Sequence, residues 1–106
     1  MTTKRKLGDQ LLETNFLKLL EKPMCGYAIM RAANKRLKLS LGPSAVYPFL
    51  LKLQEDGLLK SHWSLEGQRA QKIYELTPRG EAVLGANIVE LKVWVAPLIT
   101  VRADPL

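Results

Sequence analysis

A chain of 106 residues has room for one domain of ordinary size, since a second independent core would need about 50 residues more. Hydrophobic residues make up 47% of it and charged residues 25%, the balance of a folded soluble protein and not of a disordered tail. No apolar run reaches the roughly 18 residues of a membrane span. The opening Met1-Thr2-Thr3-Lys4-Arg5-Lys6 is basic but lacks the apolar stretch and cleavage site of a signal peptide. A single cysteine, Cys25, excludes an internal disulfide and points to a reducing compartment, the cytoplasm. With one histidine, His62, beside it, the chain lacks the three or four ligands of a protein-only zinc site. No metal or cofactor is expected.

The net charge of +6 is concentrated. Between Lys22 and Gln54 lie Lys22, Arg31, Lys35, Arg36, Lys38 and Lys52 with no acidic residue, while acids and bases balance in the remainder. One positive face fits a polyanionic partner. A basic but merely solvated helix surface fits the charge equally.

In chain order, Leu11, Leu12, Phe16, Leu19 and Leu20 recur at helical spacing and predict a first helix over about Asp9–Glu21, stopped by Pro23. A second helix spans about Cys25–Lys35, with Tyr27, Ile29, Met30 and Ala33 on its apolar side. After a short connection at Leu37–Leu41, a third runs from about Pro43 to Asp56. Its N-cap is Gly42 before Pro43, or else Ser44, and Val46, Phe49, Leu50 and Leu53 form its buried stripe. Pro48 lies close enough to the start to remove at most about one hydrogen bond, so the helix is kept. Leu58–Leu65 and about Ala70–Leu76 read as a hairpin turning at Glu66-Gly67-Gln68. Thr77-Pro78 then opens a last helix, expected to kink or end at Pro97, with Leu98 to Val101 as an added turn. Three helices, a two-stranded wing and a long C-terminal helix describe a mainly α (α+β) winged helix-turn-helix. Residues 1–79 form the DNA-binding part, and 80–106 form a separate C-terminal helix.

Four fragments carry a resemblance. Gly26-Tyr27, Pro43-Ser44-Ala45-Val46-Tyr47-Pro48, Leu53-Gln54-Glu55-Asp56-Gly57-Leu58-Leu59 and Gln71-Lys72-Ile73-Tyr74-Glu75-Leu76-Thr77-Pro78-Arg79-Gly80 stand in the order found in the PadR family of transcriptional regulators. The chain resembles that family over roughly residues 10 to 84. It departs from the usual pattern at Ala45, where a hydroxyl residue is common, at Leu51, and at Gln71 in place of a wing arginine. The resemblance implies a regulator that binds double-stranded DNA as a homodimer, in the family branch with one long dimerisation helix.

A recognition helix must enter a major groove of about its own width. Ser44, Ala45 and Tyr47 lie on the first turns of the third helix, with Lys52 beyond. Tyr47 could instead pack under the wing, and Lys52 could simply be solvated. Lys35, Arg36 and Lys38 are placed to hold the flanking backbone, and Gln68, Arg69 and Lys72 to reach from the wing. Lys4, Arg5 and Lys6 form a basic arm before the first helix.

The last helix carries Leu84, Ile88, Leu91, Val95 and Leu98, spaced 4, 3, 4 and 3, a heptad seam. With Trp94 these residues are the expected dimer contact, the alternative being a helix folded back on its own core. In some relatives an aromatic residue of the dimer interface lines a pocket for flat small molecules. Trp94 is the candidate here and Trp63 a weaker one, against ordinary packing of either ring. No catalytic constellation is visible: His62 has no triad partners, and Cys25 reads as a small packed residue. A winged-helix module whose basic face binds an acidic protein is the competing function, alongside a ligand-responsive regulator.

Overall fold

The computed structural model describes residues 6–100. Seven elements follow one another: α1 (Leu7–Leu19), β1 (Met24–Cys25), α2 (Gly26–Leu37), α3 (Pro43–Glu55), β2 (Leu59–Ser64), β3 (Gln71–Leu76) and α4 (Pro78–Thr100). The sheet has three strands in the order β1-β3-β2, all antiparallel. The expected two-stranded wing is thus incomplete. Met24 and Cys25 pair with Tyr74 and Ile73, so Cys25 is a strand residue as well as the N-cap residue of α2. A two-residue strand has too little alternation to register as a pattern in sequence, yet it gives the hairpin the third strand that an isolated pair lacks.

The apolar spacings converge on one core. Phe16 and Leu17 of α1, with Leu20 just after it, meet Ile29 and Ala33 of α2, Val46, Leu50 and Leu53 of α3, Leu58 before β2, and Leu59, Tyr74 and Leu76 of the sheet. Phe16 and Phe49 stand edge to face, ring centroids 4.9 Å apart, the favoured arrangement of ring quadrupoles. Tyr27 does not join the apolar side of α2 but is exposed. Its two-residue offset from Ile29 puts it about 200° around the helix from the buried face. Leu11 is likewise exposed, while Leu17 fills the core in its place.

Two polar devices fix how the elements meet. Asn34 of α2 donates from Nδ2 to the carbonyl of Leu41 at 2.9 Å and accepts the Leu41 N–H at 2.8 Å. That reciprocal pair sets the turn between α2 and α3. At the other end of the fold, the Thr77 hydroxyl donates to the Gly57 carbonyl at 2.6 Å and accepts the Gly80 N–H at 2.9 Å. It is therefore the N-cap of α4, as Thr77-Pro78 predicts, and also ties α4 to the root of the wing. Gly80 completes the junction, since a Cβ there would run into the carbonyl oxygen of Leu58.

Helix α4 departs from expectation in three ways. It continues through Pro97 to Thr100. The one carbonyl that Pro97 leaves unbonded belongs to Val93, on an exposed face where water can replace the lost donor. Leu84, placed by sequence in a dimer seam, is 4% exposed and belongs to the core of its own chain, so the root of α4 packs as part of that core. By length and composition alone, Pro78–Ile99 would also suffice to cross a membrane, with a mean hydropathy of 1.6 in its most apolar window. That corrects the expectation that no segment has this character. Polar contacts nevertheless hold the helix to α1: Gln10 Nε2 donates to Glu90 Oε1 at 2.7 Å, and Asn87 Nδ2 donates to Glu13 Oε2 at 3.0 Å and to Thr14 Oγ1 at 3.1 Å. Crossing a bilayer would break these contacts and carry Glu90 and Lys92 into hydrocarbon.

Gly80 and Gly85 make a paired test of the α4 junction. Gly80→Ala is expected to lower unfolding stability by about 2–3 kcal/mol in a urea titration, the cost of forcing atoms into a filled space. Gly85→Ala, whose Cβ would meet nothing within 4 Å, is expected to raise stability by up to about 1 kcal/mol through helix propensity.

Candidate nucleic-acid interface

The end of α2, the following turn and the start of α3 form one exposed stretch. Lys35 and Arg36 occupy the last turn of α2, Lys38 caps it, and Ser44, Ala45 and Tyr47 lie on the first turns of α3, all exposed. Gly42 precedes Pro43 as the N-cap residue, in extended conformation, and Pro48 is accommodated inside the helix. Lys38 has φ 57 and ψ 44, the left-handed conformation that costs a non-glycine residue about 1–2 kcal/mol. Among the described residues it is the only non-glycine with positive φ. Glycine would fit the backbone better, so this position carries a charge at a cost in local strain.

The wing approaches α3 from the side. Trp63 stands opposite Lys72 across the β2–β3 ladder, on the same sheet face as Tyr74. Tyr47, Trp63, Lys72 and Tyr74, together with Tyr27 and Gln71, surround one open hollow of about 460 Å³. The structure thus brings Tyr47 and Lys72 together, from α3 and the wing. The Lys72 ammonium lies 5.6 Å from the centre of the Tyr74 ring, within cation–π range. Tyr74 is buried, and that burial, with Tyr47 alongside, raises its phenol above the ordinary value of 10.0. It remains a protonated donor. Gln68 and Arg69 are exposed in the loop joining β2 and β3, where Gly67 supplies a φ of +82.

Lys52 stands apart from this group. It pairs with Asp56 at 3.3 Å and lines a separate hollow with Asp9 and Glu13 of α1. Five residues beyond Tyr47 is 140° around a helix, so the two side chains leave α3 in different directions. Sequence reasoning counted Arg31 in the basic run and placed Tyr27 on the apolar side of α2, and gave neither a role at the site. The Arg31 guanidinium lies 5.8 Å from the centre of the Tyr27 ring, and both sit one turn apart on the exposed side of α2. The only sequence signal was a tyrosine out of phase with the buried stripe.

Lys4 and Arg5 lie outside the described residues, and Lys6 is exposed. On α4, Ile88 is partly buried against the core and Leu91 is half-buried, while Trp94, Val95 and Leu98 are exposed. Val89, Val93 and Ile99 are exposed as well, so the distal half of the helix is apolar on nearly all sides. Leu7 and Leu11 add an exposed apolar pair on α1. His62 lies 3.9 Å from Glu75 across the sheet. Among the described residues, no three His, Cys, Asp or Glu side chains gather as a metal site would require.

Residues 16–86 match the family of PadR-like transcriptional regulators. The transcriptional regulator Rv3488 of Mycobacterium tuberculosis is 41% identical over 44 residues, a match that spans 42% of this chain and 41% of that protein. Among solved structures, a PadR-family transcriptional regulator from Eggerthella lenta superposes with a TM-score of 0.75 at 24% identity, covering 93% of this chain and 88% of its own. A PadR-like transcriptional regulator from Bacillus cereus gives a TM-score of 0.80 at 18% identity, covering 92% and 96%. Both structures share the winged-helix fold seen here. The family match covers well over half of the chain and includes every element from the end of α1 to the root of α4, so this protein belongs to the PadR-like family of transcriptional regulators.

Proposed function

We propose that the chain is a homodimeric, sequence-specific DNA-binding regulator working in the cytoplasm. In this reading α3 enters the major groove, the wing lies on the flanking backbone, and α4 pairs two copies. The observation that carries it is the run of exposed cations around the α2–α3 turn, with Lys38 held in a conformation that would favour glycine. Departure from local backbone preference is common where a side chain serves function. Lys35, Arg36 and Lys38 contact phosphates, Ser44, Ala45 and Tyr47 face the groove, and Gln68, Arg69 and Lys72 reach from the wing. Lys52, engaged by Asp56, contributes less than its neighbours. Residues 1–79 act as the DNA-reading part and 80–106 as the pairing part, of which 101–106 lie outside the described residues; the root of α4 is shared with the core. No catalytic role is assigned.

The exposed apolar surface of the distal α4 supports pairing, because a water-facing helix that is apolar on nearly all sides needs another surface to cover it. Two units so joined would set their α3 helices in successive major grooves, about 34 Å apart. The competing reading, a basic face for an acidic protein partner, predicts no discrete footprint on duplex DNA. A flat aromatic effector beside Trp94 is a second reading, favoured by the exposure of that ring. It predicts quenching of Trp94 fluorescence by flat aromatic compounds that is lost in Trp94→Ala.

Titration of the protein with operator-containing duplex at increasing salt tests the DNA reading. With about eight phosphates neutralised by a dimer, log K should fall against log salt with a slope near −7; a slope near zero rejects it. Lys38→Gly is expected to reduce the slope by about two in the dimer, one phosphate per subunit. The same change should raise unfolding stability by up to about 1 kcal/mol as the left-handed strain is relieved. The pairing is tested by Leu98→Glu, which places a charge in the proposed contact. Sedimentation should then report half the wild-type mass with unchanged helical circular dichroism, and an unchanged mass would reject α4 as the pairing surface.

A further inference from the structure

The hollow between α2, α3 and the wing is walled by large, exposed aromatic rings. Tyr27 is 57% exposed, Tyr47 42% and Trp63 64%, and these three rings rise around a floor formed by Tyr74, which is 6% exposed. Rings this large and uncovered lose apolar and stacking contacts to water. The volume of about 460 Å³ falls within the range of small-molecule sites and accommodates a pair of fused rings. Its walls are set in advance: Tyr47 lies so close over Gly26 that a Cβ there would collide with its ring. Trp63 is carried by a strand paired along its whole length.

The charge around the hollow has one sign. Its lining contains Lys72 and no carboxylate, and Arg31 stands over the Tyr27 ring. The N-terminus of α2 opens at Gly26 with no acidic residue in its first turn and no side-chain cap, so the positive end of its dipole adds to the same potential. Gln71 brings an amide with both donor and acceptor.

From this arrangement we infer that the hollow is a binding site for a flat aromatic ring bearing an anionic group. The ring stacks against Trp63 and Tyr47, and the anion lies toward Lys72 and the start of α2. A mononucleotide and an aromatic carboxylate share that chemistry. The site is distinct from the Trp94 region of α4, and it uses Tyr47 and Lys72, which the proposed function assigns to DNA. Ligand and duplex therefore compete directly for the same side chains. The competition rests on that proposal, whereas the binding does not.

Calorimetric titration of the full chain with 2-naphthoate, adenosine monophosphate and uncharged 2-naphthylmethanol tests the site. At least one anionic probe is expected to bind. Trp63→Ala should weaken it about tenfold, in line with the loss of one stacking partner, and Trp63→Phe should restore most of the affinity. Lys72→Met should weaken the anionic probe and leave 2-naphthylmethanol unchanged. Because Trp63 is largely exposed, its replacement should leave the circular dichroism unaltered. Cys25 also lines the hollow and is the only cysteine in the chain, so saturating probe should slow its alkylation by iodoacetamide. Preference for adenosine monophosphate assigns a nucleotide, and preference for naphthoate assigns a carboxylate. Absence of binding by all probes up to about 1 mM, or binding indifferent to Trp63→Ala with no protection of Cys25, overturns the site. Binding that passes these tests but fails to displace duplex DNA leaves the site standing and overturns the placement of DNA on this face.

Discussion

A single hydroxyl holds the two halves of this protein in register. Thr77 grips the Gly57 carbonyl where the chain leaves α3 and the Gly80 N–H where it enters α4, and its own N–H donates to Leu58 at 3.1 Å. Three connections at one residue leave the wing little freedom to swing relative to the long helix. Gly80 lets the backbones meet at that distance. The angle between the face that carries the cations and the helix that projects from the domain is therefore set by short, directional bonds. Apolar packing alone would restrict it less, because hydrophobic contact has no preferred direction.

Much of this architecture was legible in the residues. Helical spacing located three compact helices and the long one, and the buried stripe of α3 appears as Val46, Leu50 and Leu53 with Phe49 packed alongside. Pro43 and the Thr77-Pro78 pair marked two helix starts correctly because each imposes a local constraint that tertiary structure has no reason to override. The features that escaped are those in which a distant partner decides. Strand β1 exists because Tyr74 and Ile73 lie beside it. Leu84 satisfies a heptad and a core position equally well, and only the approach of α1 selects the core. The Lys52–Asp56 pair is different, because its i,i+4 spacing stands in the sequence itself.

The candidate interface was legible in its charges and poorly legible in its aromatics. A run of residues without acids is visible at a glance, whereas Tyr27, Tyr47 and Trp63 belong to three separate elements and meet only in the folded chain. Tyr27 in particular reads as one more apolar residue of α2 until its phase against Ile29 is taken into account. The left-handed Lys38 was also hidden, since nothing in the order of residues says that the turn closes there.

Helix α4 has two unlike halves. Its root carries Leu84 and Asn87, the first buried in the core and the second bonded to α1, and little can change there without disturbing the whole subunit. Its outer turns, from Val89 onward, bear mostly exposed side chains and are held less closely by their own fold, chiefly through Glu90, which accepts from Gln10, and the half-buried Leu91. Substitutions can therefore accumulate in those turns while the cation-bearing surface stays as it is. If α4 pairs two copies as proposed, such changes alter which chains associate and leave the cation-bearing surface intact.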